Sequence, residues 1–177
     1  MKVLRIFGLA VALLILGVFV WSLFLPSSYS VKRSILIKSS TENVYSQVVS
    51  FKKWERWSVW TKDQDSTIKS EYSVPDSGKG AFHKWTSQEM GKGTITMTET
   101  KYPFYVKLHL DMEHGKFVSD GKISFETQNE DVIVKWEETV ELGWNPISKI
   151  FAYSMLDKML GDDYEKSLAR LKKVIEM

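Results

Sequence analysis

The ten residues Phe104–Glu113 read FYVKLHLDME and alternate between apolar and polar side chains. The apolar positions are Phe104, Val106, Leu108, Leu110 and Met112. Because successive side chains of a β-strand point to opposite faces, this period predicts a strand with one buried and one solvated face. A sheet built from such strands needs a second apolar layer to cover its buried side.

The same period continues along the chain in both directions. Turn-forming residues cut the sequence after Thr67 into short segments, and Ile123–Phe125 and Val132–Leu142 repeat the alternation. These segments predict about six antiparallel strands joined by hairpins into one wide sheet. Tyr29–Ile37 has the composition of a further, first strand.

A short helix is predicted directly after that first strand. Ser39 and Glu42 have the spacing of a capping box, and Val44 and Val48 begin an apolar stripe of helical period.

The C-terminal residues have a helical period as well. Asn145 is a suitable cap and Pro146 a suitable first residue. We predict one long amphipathic helix, or two collinear helices interrupted near Gly161. Its apolar stripe consists of Met155, Met159, Tyr164, Leu168, Leu171 and Ile175. The apolar face of the sheet is the only large partner for this stripe, so we expect the sheet to wrap around the helix and leave a cavity.

Three tryptophans stand close together in Phe51–Asp63, which reads FKKWERWSVWTKD. On a helix, Trp54, Trp57 and Trp60 fall within an arc of about 120°, whereas a strand would turn Trp57 away from the other two. The spacing therefore predicts a short helix with three indoles facing the core. They either close one end of the core or line a ligand pocket, and the two interpretations are compatible.

Residues 1–30 have the pattern of a membrane anchor. Lys2 and Arg5 precede an uncharged apolar run at residues 6–25, which as a helix spans about 30 Å, the thickness of a bilayer core. We predict a single-pass anchor that is retained, rather than a signal that is cleaved near Ser28–Ser30. The two basic residues favour a cytoplasmic N-terminus, which places the domain at 31–177 on the extracytoplasmic side.

Composition excludes several classes of function. The net charge is +2, and residues 1–30 contain Lys2 and Arg5 but no acid, so the remaining domain is neutral and has no net attraction for nucleic acid. The chain has no cysteine, which removes disulfides and thiolate metal sites. His83, His109 and His114 have no partners at metal-ligand spacing, so we expect neither a metal nor a cofactor.

The order of these patterns resembles the SRPBCC superfamily, the START-like group of polyketide cyclase/dehydrase and lipid-transport proteins. The similar segments are, in order, the strand, helix and Trp-rich helix of Val31–Trp60, the glycine-x-glycine-then-Trp entry of Tyr72–Ser87, the hairpin of Gly91–Thr96, the V-x-W of Val134–Trp136 and the helix end of Leu160–Lys173.

The resemblance covers residues 31–177 and implies an α+β helix-grip fold. In that fold an antiparallel sheet wraps around a long C-terminal helix and encloses an apolar cavity. Here one N-terminal transmembrane helix precedes it. The resemblance does not imply a reaction, because the superfamily contains carriers, sensors and enzymes.

Two ionisable residues are candidates for chemistry. Glu138 shares the alternating face of Val134 and Trp136, so a regular strand would point it inward, where a lone carboxylate is costly unless it is paired or protonated. An inward Glu138 would either bind the polar group of a ligand or act as a general acid or base. A β-bulge that shifts the register would instead turn Glu138 to water, and we favour the bulge. His83 is the second candidate, because it shares a face with Trp85.

The sequence therefore predicts a membrane-anchored domain that binds or carries a small hydrophobic ligand, with lipid favoured by the tether. We expect the large inward-facing side chains to line the cavity: Trp57, Trp60, Trp85, Met97, Leu108, Phe125, Trp136, Phe151 and Met155. Two alternatives remain. One is an enzyme of the polyketide cyclase or dehydratase type that uses Glu138 and His83. The other is an interaction module whose cavity is filled by its own side chains.

Overall fold

The structure, a computed structural model, describes residues 2–177. The elements are α1 (Lys2–Leu23), β1 (Ser28–Ile37), α2 (Thr41–Val48), α3 (Phe51–Trp54), β2 (Lys69–Tyr72), β3 (Phe82–Thr86), β4 (Lys92–Lys101), β5 (Tyr105–Met112), β6 (Phe117–Gln128), β7 (Asp131–Glu141), α4 (Pro146–Phe151), a π-helical segment (Ala152–Leu156) and α5 (Asp157–Glu176).

The seven strands form one antiparallel sheet in the order β1-β7-β6-β5-β4-β3-β2. Strands β2 to β7 pair with their neighbours in the chain, and β1 crosses over to pair with β7 along its whole length. This arrangement confirms the predicted sheet and its position around a C-terminal helix. The predicted strand at Phe104–Glu113 is β5, whose Val106 and Leu108 lie in the core.

The long helix packs against the inner face of β1. Leu168 and Leu171 of α5 are buried with Val31 and Ile37 of β1 in the same core. Together with the sheet, this contact gives the predicted helix-grip architecture. The inner face of the sheet is therefore the surface on which a functional site has to be sought.

The C-terminal helix begins where the sequence predicts. The Asn145 side chain accepts hydrogen bonds from the backbone N–H groups of Ile147 (2.9 Å) and Ser148 (3.4 Å), and Pro146 is the first helical residue. The expected interruption near Gly161 is wrong, because the helix runs through this residue. The irregularity lies earlier, in the π-helical segment.

An ion-pair network on the surface of α5 accounts for the glycine at position 161. The guanidinium of Arg33 lies against Gly161, where a Cβ atom would overlap it. Arg33 Nη2 pairs with Asp157 Oδ2 at 2.9 Å, and Arg33 Nε pairs with Glu165 Oε1 at 2.6 Å. The glycine thus lets Arg33 join two carboxylates on one face of α5.

Two local predictions need correction. Ser40, not Ser39, caps α2, because its hydroxyl accepts the hydrogen bond from the Asn43 backbone N–H at 3.3 Å. The predicted Trp-rich helix is only the single turn of α3, which ends at Trp54 and continues as turns and bends.

The helix α1 is long and apolar enough to span a membrane by its length and composition. Its apolar side chains are exposed and are not packed into the domain.

We predict that Arg33 reverses the usual preference of a helix for alanine at Gly161. Alanine normally stabilises a helix interior by about 0.5–1 kcal/mol relative to glycine, but here the methyl group displaces Arg33 from its two carboxylates. In an Arg33→Ala background, Gly161→Ala should therefore be more favourable by about 1 kcal/mol. The measurement is the free energy of unfolding of the four chains in detergent, and an equal effect in both backgrounds would contradict this role of Arg33.

Candidate functional site

The indole rings of the Trp-rich segment converge in the interior although only Trp54 lies on a helix. Trp54 and Trp57 have ring centroids 4.8 Å apart, and both pack edge-on against Trp136 of β7, at 5.5 and 6.1 Å. The Trp54 Nε1–H donates to the Val48 carbonyl at 2.8 Å. The rings therefore fill the space between α3 and the sheet.

The structure divides the expected cavity-lining residues into three groups. The first group is buried in the packed core: Trp57, Met97, Leu108, Phe125 and Trp136. Trp60 and Trp85 form the second group, which is partly buried at the edge of the core. Phe151 and Met155 are 45% and 52% exposed, so their placement in the interior is wrong. The adjacent residues Ala152 and Leu156 face the core instead.

The inner face is more open at its β2–β3 end. The rings of Tyr72 and His83 stack at 4.6 Å with an interplanar angle of 18°, and Trp85 lies beside His83 at 5.5 Å. A depression of about 130 Å³ borders this group and is lined by Glu55, Trp60, Thr61, Lys62, Asp63, Ser70 and Tyr72. A larger, polar depression of about 540 Å³ includes Lys32, Lys122 and Lys135, whose side chains lie on the outer face of the sheet.

Burial controls the protonation of the two titratable rings at this end. It lowers the pKa of His83 to about 4, so this imidazole is neutral near pH 7. The His83 Nε2 atom lies 3.0 Å from the Ser70 hydroxyl. Burial also raises the pKa of Tyr72, whose hydroxyl donates to Glu55 Oε1 at 2.8 Å.

Glu138 points into the interior, so the favoured outward orientation is wrong. Strand β7 pairs in unbroken register with both neighbours, which places Glu138 opposite Val31 and Gly121. Its side chain is buried, and Ser119 Oγ donates to Glu138 Oε1 at 2.6 Å. The sheet does have a bulge, but it lies in β4 between Met97 and Glu99.

Gly121 makes the inward carboxyl sterically possible, and sequence analysis missed it. A Cβ atom at position 121 would overlap Glu138 Oε2. A glycine inside a strand often marks a close approach by another group. Its position in the polar-apolar alternation of β6 was thus the available signal.

The environment of Glu138 favours its uncharged form. Burial raises the pKa of this carboxyl above its usual range, and the hydrogen bond from Ser119 opposes the shift. Tyr164 has its pKa raised well above the usual value by burial and by the Glu138 charge. The Tyr164 ring stacks on Trp136 at 4.6 Å.

Among residues 2–177, the buried indole N–H of Trp85 has no hydrogen-bond partner, whereas the Trp136 side chain acts on the Glu138 carboxyl and opposes the rise of its pKa. Buried polar groups are nearly always paired, so the Trp85 donor is a candidate contact for a polar atom of a ligand. Trp60 lies between the depression and Trp136, because its ring contacts both Trp136 (5.9 Å) and Tyr164 (5.8 Å).

The fold does not bring His83 and Glu138 together as a catalytic pair. Three strands separate β3 from β7, which amounts to about 19 Å across the sheet. His83 contacts Phe51, Tyr72 and Trp85, none of which contacts the carboxyl of Glu138. Among residues 2–177, no three His, Asp or Glu side chains converge as a metal-ligand set.

The fold and its inner face define a helix-grip domain of the START-like class. Residues 28–176 match the family described as polyketide cyclase/dehydrase and lipid transport. The chain therefore belongs to this family, which confirms the SRPBCC resemblance and supports a ligand-binding domain. No curated protein sequence matches the chain.

Solved structures with the same fold come from distant relatives. A protein from Chromobacterium violaceum has a TM-score of 0.60 at 9% identity, with 84% of this chain and 97% of that chain covered. Norcoclaurine synthase from Thalictrum flavum, in complex with dopamine and hydroxybenzaldehyde, has a TM-score of 0.61 at 8% identity and coverages of 84% and 86%. The Aha1 dimer from Colwellia psychrerythraea has a TM-score of 0.56 at 16% identity and coverages of 84% and 97%. These identities establish the fold alone.

We predict that Glu138→Gln stabilises the protein increasingly as the pH rises. A raised pKa in the folded state means that the stability supplied by protonated Glu138 is complete below about pH 4.5 and is lost as the pH rises through the folded pKa. Glutamine stays uncharged, so the unfolding temperatures of the two chains should agree near pH 4 and diverge toward pH 8.

The matched control is Glu137→Gln, since Glu137 is on the outer face and pairs with Lys32 at 2.7 Å. It should show no such gain. A pH-independent difference between Glu138→Gln and the original chain would contradict a buried carboxyl with a raised pKa.

Proposed function

We propose that this protein is a membrane-anchored domain that binds a small hydrophobic molecule with one polar group at the open end of its grip. The observation that carries the proposal is the inner face itself. It combines large apolar side chains with the buried indole N–H of Trp85, which has no hydrogen-bond partner among the described residues. Family membership supports ligand binding as the general role.

The physical logic is that of most small-molecule sites. Apolar walls supply affinity, at about 0.8 kcal/mol for each CH₂ group removed from water, and a few polar groups fix the orientation. A carbonyl or carboxyl group of the ligand would accept from an indole N–H. The depression beside Trp60, Ser70 and Tyr72 is the entrance, and Trp60 has to rotate before a ligand longer than a few carbon atoms can enter.

Lipid is the ligand class that we propose first, because α1 would hold the domain next to a bilayer. The support for the anchor is the length of α1, its apolar composition and the exposure of its side chains. The two basic residues before the apolar run favour an extracytoplasmic domain.

A second candidate is an interaction module without a ligand. The filling of the interior favours it, since Trp54, Trp57 and Trp136 occupy the space between α3 and the sheet themselves. The two candidates differ in one measurable property, which is whether a small molecule binds inside the grip.

The test is extraction of the full-length protein in detergent, followed by mass spectrometry of the molecules that co-purify and by thermal shift with added lipids. A defined small molecule at stoichiometric amount supports binding. If nothing co-purifies and no lipid raises the unfolding temperature, the interaction module is the better description.

We predict that Ser70→Phe blocks the site and Glu71→Phe does not. Both residues belong to β2, but Ser70 lines the depression on the inner face and Glu71 is exposed on the outer face. Native mass spectrometry should show at least a tenfold loss of bound molecule for Ser70→Phe, which corresponds to about 1.4 kcal/mol. Equal occupancy in the two folded variants would place the ligand elsewhere.

A further inference from the structure

An exposed apolar surface runs along the start of the C-terminal helix. Ile147, Phe151, Met155 and Met159 follow one another at four-residue steps, and all four are exposed, Ile147 the most. Trp144, which is 84% exposed, precedes them. We call these five residues the apolar ridge. Soluble surfaces rarely keep so many large apolar side chains together, and such patches mark contact sites.

The π-helical segment keeps this ridge aligned. Four residues overrun one turn of an α-helix by about 40°, so a four-residue stripe drifts around the helix. In the π-helical segment, whose hydrogen bonds join residues five apart, the same step falls short of a turn. The segment Ala152–Leu156 therefore corrects the drift between Phe151 and Met155.

The ridge lies next to the end of α1. Lys149 Nζ donates to the Leu25 carbonyl at 2.9 Å, and the Tyr153 hydroxyl donates to the Ser28 carbonyl at 3.4 Å. Tyr29 and Tyr153 also pack edge to face at 4.8 Å. Only residues 24–27 separate α1 from β1, and four residues span at most about 14 Å.

We propose that the apolar ridge inserts into the headgroup region of the lipid bilayer and fixes the orientation of the domain on the membrane. The inference rests on the proposed anchor, because α1 in a bilayer leaves the ridge within reach of the lipid. Phe24, which is 82% exposed, continues the apolar surface from α1 toward Trp144. Tryptophans at both places, Trp21 and Trp144, are suited to the membrane interface.

The absence of cysteine from the sequence allows single spin labels to measure depth directly. Ile147→Cys and Met155→Cys place a nitroxide on the ridge of the full-length protein in nanodiscs. Lys116→Cys, in the exposed turn between β5 and β6, is the water control, and Leu14→Cys in α1 is the lipid control. Collision of each label with oxygen, which concentrates in lipid, is compared with collision with a water-soluble nickel chelate.

The label at position 14 should favour oxygen and the label at position 116 the nickel chelate, and labels at positions 147 and 155 should give a ratio between these two, shifted toward oxygen relative to position 116. If positions 147 and 155 behave like position 116 while position 14 favours oxygen, docking is refuted and the anchor stands. If position 14 also favours the chelate, the anchor itself fails. Dipolar broadening at position 147 or 155 that disappears on dilution with unlabelled chain would assign the ridge to a second copy and overturn the proposal.

Discussion

The burial of α5 against the inner face of the sheet is the interaction on which the structure depends. Trp136 lies at the centre of this contact, because its ring stacks on Tyr164 of the helix and meets the edges of Trp54, Trp57 and Trp60. Removing an aromatic side chain of this kind from a core typically costs about 3–5 kcal/mol. The same ring therefore joins the sheet, the helix and the loop after α3.

This contact also limits where a ligand can bind. The interior near α3 is occupied by indoles, so added volume there would force other side chains out of their places. The inner face of β2 and β3 has fewer such constraints, because Tyr72, His83 and Trp85 are only partly buried. The proposed site is consequently at the open end of the grip and not at its centre, and the Trp60 ring lies between the two.

Sequence patterns predicted the elements that are determined by residues close together in the sequence. The alternation of β5 and the cap formed by Asn145 needed no knowledge of distant residues. The orientation of Glu138 did, because the space for its carboxyl comes from Gly121 on the neighbouring strand. The inward orientation of Glu138 therefore depends on the regular strand register and on Gly121 in β6, and the sequence of β7 alone does not determine it.

The exposed positions Phe151 and Met155 show a different limit of periodicity. A helical apolar stripe reports that a face avoids water, but it does not distinguish a protein core from lipid or from a partner surface. The C-terminal helix carries both kinds of stripe side by side, since Ala152 and Leu156 are buried while their neighbours are exposed. Sequence analysis treated the two stripes as one and therefore assigned the exposed residues Phe151 and Met155 to the interior.

The geometry of the proposed anchor constrains the proposed binding role. Thirteen residues separate Phe151 on the ridge from Tyr164 beside the site, a rise of about 20 Å along the helix. With α1 in a bilayer and a link of only residues 24–27, the domain has no freedom to travel between membranes. A bound lipid would therefore stay within about this distance of the ridge. Such an arrangement suits a domain that extracts or presents a molecule to a second partner better than one that shuttles.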